Sequence, residues 1–387
     1  MTTLESGLGP DEAPILGELR LRYEAADSAV DKTVLRIRQA LYLARTHRLP
    51  EAEGLPAEVR GQWGAQGDNH QALRVHVWLW VLEGVLAFYR TSGSVGRTRL
   101  LQAHAAADRM GWRAERELSA AWLAHLAYVD NDYVGLLRWL PDAGLGTAAL
   151  DESAARSALT LACALQWFGH DALGATWFGR AREVARRTGD RAGIMAATAN
   201  RTMLRLHDNW LAFVFSERLP HDIDALRQEL NAILGYEQLS GSASLQEQNE
   251  IARVRMSVMR GDDSQAHVQL ARMAAAVERG SAGPLAMAAV IDAWLLGRQA
   301  TPPDALAALR RAEAAFAQAE AALDTDDQAS CRALMAQLAR RAGEAEHAQG
   351  LLALAQGQRS QVWSAFESHR TALLTLESEA SAHWPGA

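Results

Sequence analysis

Along most of the chain, apolar residues recur at alternating three- and four-residue spacings, the period of a helix with one buried face. Ser153 to Phe168 sets Leu159, Ala162, Leu165 and Phe168 on one stripe, and Ala172 to Arg187 does the same with Trp177, Ala181 and Val184. Gly169-His170-Asp171 stands between them, so the pattern predicts a helical hairpin. The next helix follows Thr188-Gly189-Asp190 and runs with Ile194, Ala197, Arg201 and Leu204 to His207. First helices of such hairpins begin near Gln71, Arg113, Ser153, Arg191, Leu245, Pro284 and Asp327, at intervals of 38 to 43 residues apart from one of 54. A hairpin of this size cannot bury its apolar face alone, and stacking on its neighbours makes an α-solenoid. The long interval predicts an insertion at Asp208 to Pro220, carrying Trp210, Phe213 and Phe215, before another helix from His221.

The two ends read differently. Leu16 to His47 predicts one long helix with Leu19, Tyr23, Val30, Val34, Ile37 and Leu41 inward, an N-terminal cap on the array, and Pro50 to Asp68 is a glycine- and proline-rich linker. The expected organisation is therefore 1–69 for helix and linker, 70–207 for repeats, 208–220 for the insertion, and 221–387 for further repeats and a C-terminal helix. In that last helix Val362, Phe366, His369, Leu373, Leu376 and Ala380 make a heptad-like stripe. It predicts packing on the preceding unit or, alternatively, a homodimer or a connector to an effector domain.

Composition narrows the class. Ala and Leu dominate, β-branched residues are scarce and aromatics amount to 6%, although twelve of them are Trp, so a mostly β fold is excluded and the chain is expected to be all-α. Lys and Arg number 39 against 46 Asp and Glu, and Lys32 is the one lysine. Arginines scattered among acids at a net charge of −7 give no concentrated positive field, so nucleic acid is not an expected partner. Cys163 and Cys331 lie far apart in apolar helical contexts and predict buried free thiols in a reducing compartment. Glu5, Asp11 and Glu12 are unlike a signal peptide, and Glu83 and His170-Asp171 interrupt the apolar runs, so a soluble cytoplasmic protein without membrane contact is expected.

In the third hairpin Ala162, Leu165, Gly169, Gly174, Phe178 and Ala181 resemble the tetratricopeptide repeat (TPR), with small residues where the helices cross; Gly343, Ala348, Leu352 and Ala355 repeat its second half, and Gly261, Ala266 and Leu270 match partly. Leu137 after Asp132-Tyr133 departs from it. The resemblance spans roughly 70–380 and implies about seven TPR-like hairpins and a protein or peptide partner. The acidic turns Thr188-Gly189-Asp190 and Thr325-Asp326-Asp327, the helix Ser244 to Met259 before Arg260-Gly261-Asp262, and the ending Trp363 to Arg370 are similar to sensory repeat regions of bacterial diguanylate cyclases. That similarity implies a sensory module; the catalytic Gly-Gly-Asp-Glu-Phe of that family is not in the sequence, so its activity maps to no residue here.

Candidate chemistry is sparse. His170-Asp171, His207-Asp208 and His221-Asp222 are of the kind that metal phosphohydrolases use, which keeps a helical metal-dependent hydrolase as a remote alternative. Each pair falls at a predicted helix boundary, where Asp serves as a cap. The sequence has no HExxH or GxSxG, and Ser92 to Thr98 has neither the lysine nor the preceding strand of a phosphate loop. No metal, no cofactor and no enzymatic activity are therefore expected. Trp78 and Trp80, two apart, cannot share a helix face, so one is expected to reach a groove or the N-terminal cap. Asn200 and Arg201 on one first helix, with Gln246, Asn249, Glu250 and Arg253 on the next, offer amides and guanidinium groups to an extended peptide or acidic ligand. The expected function is a non-catalytic scaffold that binds a protein or peptide in bacterial regulation or signalling.

Overall fold

The computed structural model describes residues 13–64, 69–90, 93–145, 151–240, 246–276 and 282–384. Among these the regular structure is entirely helical, and the helices pack as neighbouring antiparallel hairpins, the arrangement of an α-solenoid. The chain forms two compact units: Met1–Arg201 with Gly235–Ser244 and His369–Ala387, and Thr202–Leu234 with Leu245–Ser368.

The first unit opens with α1 (Pro14–Ala25) and α2 (Ala29–Arg45), packed on each other. The single helix expected over Leu16 to His47 is thus two. Ala26 and Ser28 are extended, and the Ser28 hydroxyl accepts the Asp31 N–H at 3.0 Å, an N-cap that starts a new helix. The expected linker is also helical in part, as α3 (Leu49–Glu53) and α4 (Leu55–Trp63), each with proline in its first turn. Leu55, Val59 and Trp63 are buried, and the Trp63 indole N–H donates to the Thr33 hydroxyl at 3.2 Å.

Three hairpins follow: α5 (His70–Arg90) with α6 (Gly93–Met110), α7 (Arg113–Val129) with α8 (Tyr133–Trp139), and α9 (Glu152–Trp167) with α10 (Asp171–Arg187). The first helices also contact one another, α5 to α7 and α7 to α9. Small residues set the crossings. A Cβ on Gly96 would lie 2.8 Å from the Gly84 carbonyl oxygen, and one on Gly174 would lie 3.2 Å from that of Ala162. At Leu137, where the repeat pattern breaks, the second helix is only seven residues long and gives way to a 3₁₀ turn at Pro141. By length and composition α5 is a candidate membrane span among the described residues, but Val75, Val77, Leu79, Val81, Leu82 and Val85 are buried in the protein core. Trp78 reaches the N-terminal cap, as one of the two tryptophans was expected to: its ring lies 5.7 Å from the Arg38 guanidinium of α2.

Next comes α11 (Arg191–Val214), which contributes to both units, as do α12 (Ile223–Ser240) and the 39-residue α18 (Ala345–His383). Because α11 runs to Val214, residues 208–214 of the expected insertion are helix, and a short loop remains before α12. Asn209 fastens that loop: its amide donates to the His221 carbonyl and accepts the His221 N–H, both at 2.9 Å. In the second unit α13 (Gln246–Met259) packs on α14 (Asp263–Ala276), α15 (Ala282–Gly297) on α16 (Pro302–Ala319), and α16 on α17 (Thr325–Ala342), with α18 (Ala345–His383) last. Trp210, Val258, Ile291, Trp294, Phe316, Leu334 and Ala348 share one core there. Gly169 after α9 and Gly261 after α13 adopt φ of 78° and 74°, the left-handed geometry that ends a helix within a residue.

Candidate functional site

The residues expected to line a groove fall in both units. Asn200 donates its amide to the Ala196 carbonyl of its own helix at 2.8 Å, and Arg201 beside it is half-buried; both belong to the first unit. Asn249 and Arg253 belong to the second, where Asn249 is buried and Arg253 pairs with Glu250 at 3.0 Å along α13. The Gln246 side chain lies outside the described residues.

Two polar clusters that the sequence did not announce are more concentrated. In the first unit Arg45, at the end of α2, is buried between two acids. It donates to Asp190 at 2.5 Å and to Glu152 at 3.3 Å. Burial alone would lower the arginine's pKa, but the two carboxylates outweigh it and raise it. Asp190 also accepts the Gly193 N–H at 2.8 Å, starting α11. One turn into α9, Arg156 is only 7% exposed, and its guanidinium carbon sits 4.0 Å from the centre of the Trp122 ring on α7. Burial pulls its pKa below the usual arginine value.

Around Arg156 the first helices supply aromatic rings. Tyr89 and Phe88 of α5 lie 6.3 Å and 6.0 Å from Trp122, and His125 lies 5.8 Å from it and 5.4 Å from Phe88. Burial, and next the Arg156 charge, holds the His125 imidazole well below the usual histidine range, so it is neutral. On the face made by α5, α7 and α9, Phe88 and Tyr89 are half-buried rings, and Trp122, His125 and the Arg156 side chain are buried. Such a surface can stack on apolar groups and bind an anion. The sequence signal for it is a charge out of place: Arg156 stands in Ser153-Ala154-Ala155-Arg156-Ser157-Ala158-Leu159, a stretch otherwise made of core residues.

In the second unit His207 is mid-helix, not at the boundary expected for it. Its Nε2 lies 2.6 Å from Asp326 Oδ2, at the start of α17. Arg255 of α13 joins the pair to a third group, with Nη1 3.2 Å from His207 Nδ1 and Nη2 donating to Asp327 Oδ1 at 2.6 Å. The same guanidinium packs over the Trp210 ring at 5.4 Å. Burial opposes the imidazolium, yet the Asp326 carboxylate outweighs it and raises the His207 pKa, while Asp326 is held below its usual range. Asp324 moves the other way, raised by burial and then by the charges of Asp326 and Asp327.

His207, Asp326 and Asp327 bring their potential ligand atoms within 4.8 Å of one another, the grouping a metal site needs. Arg255 is bonded to two of the three, so the positive charge between them is already supplied by the protein. The other His-Asp dipeptides start helices: His170 is the N-cap residue of α10, and Asp222 accepts the N–H groups of Asp224 and Ala225 to start α12. His221 turns to Asp208 at 3.3 Å. Cys163 and Cys331 are free and buried, and burial pushes both thiols up to about 12.

No protein-family model and no curated protein matches the chain. Among solved structures it is similar to the crystal structure of a Rap protein complexed with competence and sporulation factor, with a TM-score of 0.57 and 12% identity, over 87% of this chain and 99% of that one. What is shared at that identity is the fold. With the hairpin stacking described above, it makes this chain a TPR-like helical-repeat protein.

Proposed function

We propose that the chain is a non-enzymatic scaffold of bacterial cytoplasmic regulation that holds a protein or peptide partner on the first-helix face of its first unit. The observation that carries this is the pair of half-buried rings Phe88 and Tyr89 on α5, packed against the buried Trp122 of α7 that Arg156 of α9 also contacts. Helical-repeat proteins bind partners on surfaces that their stacked helices build jointly. The similar Rap structure was itself solved with competence and sporulation factor, which supports a regulatory ligand for this one. Arg201, half-buried and without an ion pair among the described residues, is a further proposed contact.

The test is affinity capture from the native host with the full chain, alongside Tyr89→Ala, each protein checked for native melting. A partner captured by the native chain and lost with Tyr89→Ala supports the reading. Equal capture by both refutes this face.

The unbroken 39-residue α18 favours a second, narrower reading, a sensory module of a diguanylate cyclase system with α18 as connector. Sequencing the gene beyond the codon for Ala387 and its neighbours for a cyclase motif tests it. A homodimer through α18 would draw on its exposed Leu354 and Trp363, since Phe366, Leu373 and Ala380 of the stripe are buried; light scattering decides that point.

A further inference from the structure

Arg156 is a largely buried cation without an acid, and its guanidinium nitrogens are not sealed from solvent. Its side chain makes no hydrogen bond or ion pair among the described residues, although a guanidinium carries five N–H donors. An acid does stand at the right place in the sequence. Glu152 is four residues earlier on α9, the spacing at which oppositely charged helix neighbours meet, yet its carboxylate faces Arg45 at 3.3 Å. The other nearby acid, Asp190, is shared by Arg45 and the Gly193 N–H. The buried His125 imidazole, held neutral, brings no charge to Arg156.

A largely buried guanidinium with no acid beside it, whose nitrogens solvent still reaches, is open to an anion from outside. The guanidinium carbon rests over the Trp122 ring, 4.0 Å from its centre. The donors lie in the plane of the group, which is the geometry that takes both oxygens of a carboxylate. Phe88, Tyr89 and Trp122 surround the position with apolar surface, which strengthens a charge-assisted hydrogen bond.

We infer that Arg156 anchors a carboxylate of the bound partner, either the C-terminus of a peptide or an Asp or Glu side chain, with the half-buried Phe88 and Tyr89 rings packing on the residues beside it. The inference rests on the peptide-binding reading above and specifies the chemistry that this face selects.

The experiment uses the full chain and a synthetic library of decapeptides tethered by their N-termini. It is printed as free acids, as C-terminal amides, and as free acids with every Asp and Glu replaced by Asn and Gln. The expected result is a set of bound sequences that lose about 10- to 100-fold in affinity in one of the two modified copies. Loss with the amide assigns the C-terminus, and loss with the side-chain replacements assigns an acidic residue. In Arg156→Gln that discrimination should vanish, with the acid falling to the level of its neutral form. Arg156→Lys, which keeps the charge without the fork, should retain part of it.

The comparison of acid with neutral peptide on the native chain needs no variant to fold. Sequences bound equally in all three copies overturn the carboxylate anchor and leave peptide binding standing. Discrimination that survives Arg156→Gln overturns the assignment to Arg156. A natively melting chain that binds no peptide in any copy overturns both readings.

Discussion

Replacing Arg255 with Met removes the centre of the second unit's ion-pair network while keeping an unbranched apolar stem. Asp327 then loses a 2.6 Å charge-assisted bond, the Arg255 nitrogen 3.2 Å from His207 Nδ1 is removed, and Trp210 loses the cation over its ring. Hydrogen bonds to charged groups contribute about 1.5–3 kcal/mol each, and removing one partner of a buried pair costs about 3–5 kcal/mol. Two features move this case to the low end of that range. The Asp327 side chain is 23% exposed, so water reaches the oxygen that Arg255 leaves. Arg255 Nε is buried with no hydrogen-bond partner among the described residues, and Met removes that cost. The expected loss is about 3 kcal/mol. Hydrogen exchange read by mass spectrometry suits a chain of two units, because it reports stability locally. Amides of α13 and α17 should exchange roughly 100-fold faster in Arg255→Met, with α7 and α9 unchanged. Exchange of α17 within about threefold of the native rate would refute the view that this network holds α13 and α17 together.

Three further outcomes follow from the same geometry. His207 has a raised folded pKa, so its contribution to stability is complete below 6.5 and is lost as pH rises through the folded value; Asp326, held low, contributes above 3.8 and loses its contribution in acid. The melting difference between the native chain and His207→Gln should therefore be largest near about pH 5.5 and shrink toward about pH 8, and a difference that grows with pH would contradict the pairing. Gly96→Ala places a Cβ 2.8 Å from the Gly84 backbone carbonyl, so α5 and α6 must part at a cost of about 1–3 kcal/mol, seen as a lower urea midpoint; an unchanged midpoint would show that the crossing is loose. Cys163 and Cys331 should resist a thiol reagent at about pH 8 until denaturant is added, because both are buried and their thiolates are suppressed; rapid labelling of the native chain would show that these helices open.

The hairpin array was legible because it rests on local chemistry. Predicted first-helix starts at Arg113 and Arg191 coincide with those of α7 and α11, and the starts predicted at Gln71, Ser153, Pro284 and Asp327 fall within two residues of α5, α9, α15 and α17. The turns at Gly169, Gly189 and Gly261 take the positive φ that glycine permits. Gly174 against Ala162 shows that the repeat-like spacing carried real crossing information. The break at 26–28 has neither glycine nor proline to mark it in the sequence and is decided by the Ser28 cap. Helix was under-read at 208–214, where the aromatic cluster suggested an insertion although its side chains face a core.

By itself, then, the sequence determined that this chain is all-helical, where most hairpins turn and which small residues let them cross, since periodicity and turn chemistry act over a few residues. Which polar groups become partners was decided only by the tertiary structure. His207 meets Asp326 across 119 positions, Arg45 meets Asp190 across 145, and Glu152 is drawn away from the arginine one turn along its own helix. Burial is set by the packing of distant helices, and in a low-dielectric interior a charge is governed by whichever opposite charge that packing brings within reach.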